Sequence, residues 1–126
     1  VTRFFNLTPH VVRVYLGRAD DPLLEQDLPS RWLVLPVTGR IAHVDQVDDY
    51  RHDVERVRVL HHSIGAVTGL PDPEPGVVYV VSSMVGRTAM RADCLSPDTK
   101  HSAIYDASGE MYGVRRMQRW TARSGK

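Results

Sequence analysis

The 126-residue chain has one cysteine, two phenylalanines, two tryptophans and two lysines. A lone thiol, Cys94, excludes an internal disulfide and makes a reducing cytosol the simplest setting. No apolar run approaches the roughly 18–20 residues of a membrane helix, and no signal-peptide pattern opens the chain. A cytoplasmic protein with no membrane partner is therefore expected. Excess charge is lacking too: the formal net charge is +1, which removes the simplest argument for nucleic-acid binding. With 42% hydrophobic and 25% charged residues, wholesale disorder is also excluded. A chain of this length can bury roughly two thirds of its unfolded surface, so neither a disulfide nor a metal staple is required. One domain spanning 1–126 follows from length alone. Val1 stands where a methionine would, from which a lost or replaced natural start is expected.

What is abundant is arginine, 14 residues against Lys100 and Lys126, and valine among the aliphatics. A high-GC coding bias accounts for this pattern. Permanently charged, planar guanidinium groups also suit phosphate and carboxylate ligands, and composition alone does not separate the two explanations. The +1 conceals an uneven distribution. Asp20 to Asp27 and Asp45 to Glu55 are acidic, whereas the last quarter, with Arg115, Arg116, Arg119 and Arg123, is basic.

Within Phe4 to Leu16, Val12, Val14 and Leu16 alternate with Arg13 and Tyr15, the period of a half-buried strand. Trp32 to Leu35 and Ile41 to Val44 are expected to pair as a hairpin around Pro36 to Arg40. Asp45 to Glu55 reads equally as helix or loop, and Arg56 to Leu60 as an alternating strand. Gly69 to Gly76 holds three prolines, which exclude helix and central strand and imply a rigid surface connection. Gly76 to Val81 (GVVYVV) is the most apolar β-type run and suits a strand covered on both faces. Ser82-Ser83 then offers an N-cap to a short helix over Met84 to Met90. Ile104-Tyr105 and Met111 to Trp120 flank a glycine-containing turn, a second hairpin. Thr121 to Lys126 is expected to fray.

Asn6-Leu7-Thr8-Pro9-His10, the Thr38-Gly39-Arg40 turn, Gly69-Leu70-Pro71 through Val81-Ser82, and Arg91-Ala92-Asp93 before the closing hairpin occur in a telling order. Together they resemble a family of small proteins that recur in phages, prophages and actinobacterial genomes. The likeness covers most of the chain and implies a biological context, not a chemistry, since none of these motifs is a catalytic signature. The stretch between Val44 and Arg56 departs from it, being longer and more charged.

Several clusters are candidate sites. Ser82 and Ser83, with Arg87 and Arg91 spaced at four-residue intervals behind them, offer hydroxyls, a helix start and two cations to an anion. An ordinary cap with a solvated arginine stripe explains the same residues, and no glycine-rich loop follows the strand. Asn6 and His10 flank Thr8-Pro9, where Asn6 suits a bend and His10 suits a donor or base. His43, Asp45, Asp48, Asp49, His52 and Asp53 hold ligand types for a metal, but a solvated charged segment accounts for them and no metal or other cofactor is expected. Adjacent His61 and His62 on a strand would face opposite sides. Cys94 lacks the surroundings of a nucleophile. Arg115, Arg116, Arg119 and Trp120 could contact phosphates and stack a base, meet the acidic surface of a second copy, or simply pack.

The expected fold is α+β: a β-rich single domain of six or seven mostly antiparallel strands, as an open sheet or partly closed barrel, with one short helix. The expected function is non-enzymatic. An accessory binding protein of phage or mobile-element type would capture a small anionic or nucleotide-derived ligand, or a host protein partner, as a homo-oligomer. A small phosphoester hydrolase or transferase using His10 or a His/Asp metal cluster is the enzymatic alternative. A nucleic-acid or protein interaction module built on the basic C-terminal hairpin is a third; nucleic acid is the less favoured of its partners.

Overall fold

A computed structural model of the chain describes residues 2–17, 31–49 and 54–123. The acidic, proline-containing segment 20–30, His52 and Asp53 of the charged segment, and the last residues of the chain (124–126) lie outside the described residues.

Among the described residues the β structure is two four-stranded sheets and a hairpin. The first sheet has the order β1 (Arg3–Asn6), β6 (Val77–Val80), β7 (Cys94–Pro97), β10 (Met117–Gln118). The second runs β3 (Trp32–Leu35), β2 (Val12–Tyr15), β9 (Met111–Val114), β8 (Ala103–Tyr105). β4 (His43–Asp49) and β5 (His61–Thr68) pair, among the described residues, only with each other. Among the described residues a single helix, α1 (Ser83–Ala89), lies between β6 and β7. The molecule is thus a β-rich α+β protein with one short helix, and no described helix is long and apolar enough to cross a membrane.

The expected partly closed barrel does not form. Each four-stranded sheet keeps two edges, β1 and β10 in the first and β3 and β8 in the second. The pairings are also mixed: β1–β6, β6–β7 and β2–β9 are parallel, and the other four are antiparallel. A parallel neighbour requires a crossover, and α1 supplies it between β6 and β7.

The apolar run 77–81 is covered on both faces. Val77, Tyr79 and Val81 join Leu7, Ala42, Val85 and Cys94 in one cluster, against which Val44 and Val67 of the hairpin pack. Val80, fully buried, joins Val12, Val14, Leu35 and Val114 in the other. The first sheet therefore lies between α1 with the hairpin on one face and the second sheet on the other. Ser82 caps α1, its Oγ accepting from Val85 N at 3.3 Å. Met90, in the left-handed region at φ 50°, ends it.

Three local expectations are corrected. Trp32–Leu35 pairs with β2, and His43 onward pairs with β5, so no hairpin joins 32–35 to 41–44. His43–Asp49 is strand, neither helix nor loop, because cross-strand pairing to 61–68 supplies a ladder that local propensity does not reveal. Positions 56–60 are irregular, and the strand begins at His61. Gly69 closes β5 at φ +80°, where a Cβ would lie 2.5 Å from the Ile41 carbonyl oxygen. Glycine is required there by both conformation and space.

Candidate ligand-binding cleft

A cleft of about 850 Å³ opens where β1, β6 and β7 end. These three strands are mutually parallel, so their carboxyl ends lie together. Thr8, Pro9 and His10 follow β1; Val81, Ser82 and Ser83 follow β6; Ser96, Pro97 and Thr99 come from the end of β7 and just beyond it. The opposite wall comes from the second sheet, through 11–13 and 111–114. β1 continues into the second sheet and β6 into α1, on opposite faces of the first sheet. Adjacent parallel strands whose connections diverge in this way leave a crevice at their carboxyl ends, the usual ligand position of open α/β sheets.

The floor is apolar, with Val12, Val81, Pro97 and Val114, and the polar groups stand around it. Arg13 lies with its guanidinium carbon 4.7 Å from the Tyr112 ring centroid. Tyr112 is itself fixed edge-on against Trp32 at 5.0 Å. Arg13 makes no ion pair among the described residues, and the described lining residues include no aspartate or glutamate. The wall is therefore cationic and rich in hydroxyl donors.

Asn6 sits behind this wall and holds it. The side chain is buried; Nδ2 donates to the carbonyls of His10 (2.8 Å) and Leu35 (2.9 Å). Its Oδ1 accepts from Thr8 N (3.0 Å) and Thr8 Oγ1 (2.6 Å). Its bonding capacity is fully used: three of these bonds shape the 6–10 bend, and the one to Leu35 ties the bend to β3. His10, by contrast, is exposed on the cleft wall, and its ring has no described hydrogen-bond partner.

Of the residues singled out from sequence, Ser82, Ser83 and His10 converge on the cleft. Arg87 and Arg91 do not share a helix face, because α1 ends at Ala89 and Met90 turns the chain. Arg91 clamps Asp93 through Nε (2.9 Å) and Nη2 (2.6 Å) and donates from Nη1 to the Pro71 carbonyl at 2.9 Å. That hydrogen-bonded pair holds the Asp93 carboxyl below its ordinary value. Arg87 is exposed and does not line the cleft. With only seven residues, α1 carries no helix field to speak of, and what Ser82 and Ser83 present is their hydroxyls.

The C-terminal cations are dispersed. β9 ends at Val114, and the chain then passes to the other sheet, so 115–120 is not the second strand of a basic hairpin. Arg115 lies over the Tyr15 ring at 5.4 Å, and Arg116 Nε donates to the buried Asp98 at 2.6 Å. Trp120 covers Gly86, where a Cβ would meet its ring at 2.8 Å. Arg119 remains exposed.

His43 pairs with Asp45 and His62 with Asp48 on the exposed hairpin, and no metal-holding group occurs among the described residues. His61 and His62 occupy successive positions of β5, facing opposite sides as expected. Cys94 is buried, and desolvation, reinforced by Asp93, pushes its thiol up to about 11, the opposite of a nucleophile's setting.

Arg13, Ser96, Thr99 and Tyr112 were not legible as site residues. Arg13 reads as the solvent phase of an alternating strand, and Ser96 belongs to no motif. The only available signal was a polar residue closing an apolar strand. Comparison with family models, curated proteins and solved structures gives no match to this chain.

Proposed function

We propose that this is a non-enzymatic accessory binding protein, of phage or mobile-element type, that captures a small anionic, nucleotide-derived ligand in the cleft. The observation that carries the reading is the composition of the cleft wall. Arg13, His10 and several hydroxyls face a largely apolar floor at the carboxyl ends of three parallel strands, with no described carboxylate among them. A concave apolar site with a few convergent polar groups is the usual form of a small-molecule pocket, and its volume is in the range that takes a drug-sized ligand. The biological context rests on the family resemblance, and the anion preference on the residues. In this reading the protein works in the cytosol, and copies assemble into a homo-oligomer.

An acid–base or metal-assisted hydrolase would bring a carboxylate to His10, and the described cleft residues do not supply one. Native mass spectrometry of the protein purified from a cell lysate tests the proposal and reads the assembly state in the same spectrum. A retained anionic adduct, lost in Arg13→Ala, is expected. Bare protein that also takes up no nucleoside phosphate in equilibrium dialysis would overturn the reading.

A further inference from the structure

Among the described residues, five polar side chains belong to the buried set: Asn6, Thr8, Ser96, Asp98 and Ser102. Four of them are fully engaged. Asn6 and Thr8 bond each other and the His10 carbonyl, Asp98 takes Arg116 and the His101 amide, and Ser102 Oγ donates to the Asp98 carbonyl at 2.8 Å. Ser96 is the exception. It is 1% exposed, it lines the cleft, and its hydroxyl has no hydrogen-bond partner among the described residues.

A buried hydroxyl without a partner is costly, and native structures rarely keep one without a use. Nor is Ser96 loosely placed. β7 is held on one side by β6, through Val80↔Leu95, and on the other by β10, through Gln118↔Ser96. Ser96 is therefore held firmly in the lining of a cleft whose other polar groups already suit an anion. A ligand with an aliphatic body would leave it unpaired.

Resting on the function proposed above, we infer that Ser96 hydrogen-bonds a polar group on the body of the ligand and selects a nucleoside phosphate over other phosphorylated molecules. Arg13 and His10 receive the phosphate. The valine and proline surfaces accept a planar base, and Ser96 reads a polar atom on its edge. A site built around a buried polar group discriminates strongly against analogues that leave the group unpaired.

The test is isothermal titration of the full chain with the four ribonucleoside 5′-monophosphates, hexyl phosphate and inorganic phosphate. At least one nucleotide should bind about tenfold or more tightly than either control. Ser96→Ala should weaken that nucleotide by roughly 5- to 50-fold, change the controls less than about twofold, and leave the melting temperature of the free protein unchanged or higher. Ser96→Cys, which keeps the shape of the side chain at slightly larger volume and weakens the donor, should reproduce part of the loss. Arg13→Ala should weaken all phosphates alike. Unchanged nucleotide affinity in Ser96→Ala, a lowered melting temperature in that variant, or hexyl phosphate binding as tightly as any nucleotide would overturn the role of Ser96 while leaving the anion site standing. Failure of every phosphate to bind the unmodified protein would overturn both.

Discussion

The cleft and the β4–β5 hairpin carry the same kinds of side chain and use them in opposite ways. On the hairpin, His62 Nδ1 lies 2.6 Å from Asp48 Oδ1, and Gln46 Nε2 donates to the same oxygen at 2.8 Å. Thr68 Oγ1 lies 2.7 Å from His43 Nε2. These groups satisfy one another on an exposed surface, where solvent screens what they are worth. In the cleft, the His10 ring and the Ser96 hydroxyl have no such partners among the described residues, Ser96 is buried, and Arg13 meets only the Tyr112 ring and carbonyl, with no carboxylate. Ligand-type residues are thus uninformative as a list. Whether their polar atoms are already spent is what separates a solvated surface from a site, and that is a property of the folded chain.

The sharpest way to break the contrast is to remove the support behind the cleft wall. Asn6→Ala deletes two donor bonds, one of them fully buried, and takes from the Leu35 carbonyl and the Thr8 amide the partners that Asn6 supplies. Destabilisation of about 3 kcal/mol is expected from urea unfolding, with weakened ligand capture as the 6–10 bend relaxes. A loss below about 1 kcal/mol would mean that Asn6 does not hold His10 in place.

Acid should act next, through paired carboxylates outside both regions. Hydrogen bonds from Arg116 and Arg91 hold Asp98 and Asp93 below the ordinary aspartate value. Groups with depressed values stabilise the fold above their unfolded value and lose that contribution as pH falls through the folded one. The melting temperature should be level from about pH 7 to 5 and fall below about pH 4, less steeply in Asp98→Asn. An equal acid slope in the variant would remove Asp98 from the account.

Much of the core was legible before the fold. The unalternating run at 77–81 announced a strand covered on both faces, and Val12 and Val14 announced their inward phase. Ser82 was readable as a cap because a hydroxyl before a short helical stretch has a local job. The cleft was not readable, because it is made by parallel neighbours far apart in sequence: Phe5 beside Tyr79, Tyr79 beside Cys94. Long-range pairing of this kind leaves no periodic mark. The same holds for Arg91, whose spacing from Arg87 suggested a shared helix face until the left-handed turn at Met90 intervened.

A smaller effect is expected at Cys94, which lies in the core cluster that includes Val81, the strand-end residue that also lines the cleft. With its thiol pushed up to about 11 by burial, labelling by a maleimide at pH 8 should be negligible in the folded protein and complete in denaturant. Rapid labelling of the native state would show that the core side of the cleft opens to solvent.

The smallest expected effect is the most telling for the contrast. The bonds from Gln46 and His62 hold the Asp48 carboxyl below its ordinary value, so the pair has the outward look of a catalytic dyad. Its side chains are nearly half exposed, 49% for His62 and 42% for Asp48, and exposed ion pairs contribute little. His62→Ala and Asp48→Asn should therefore leave both the melting temperature, within about 1 °C, and ligand uptake unchanged. Loss of uptake in either variant would move function from the cleft to the hairpin, because the pair has no structural duty there whose failure could be mistaken for a binding defect.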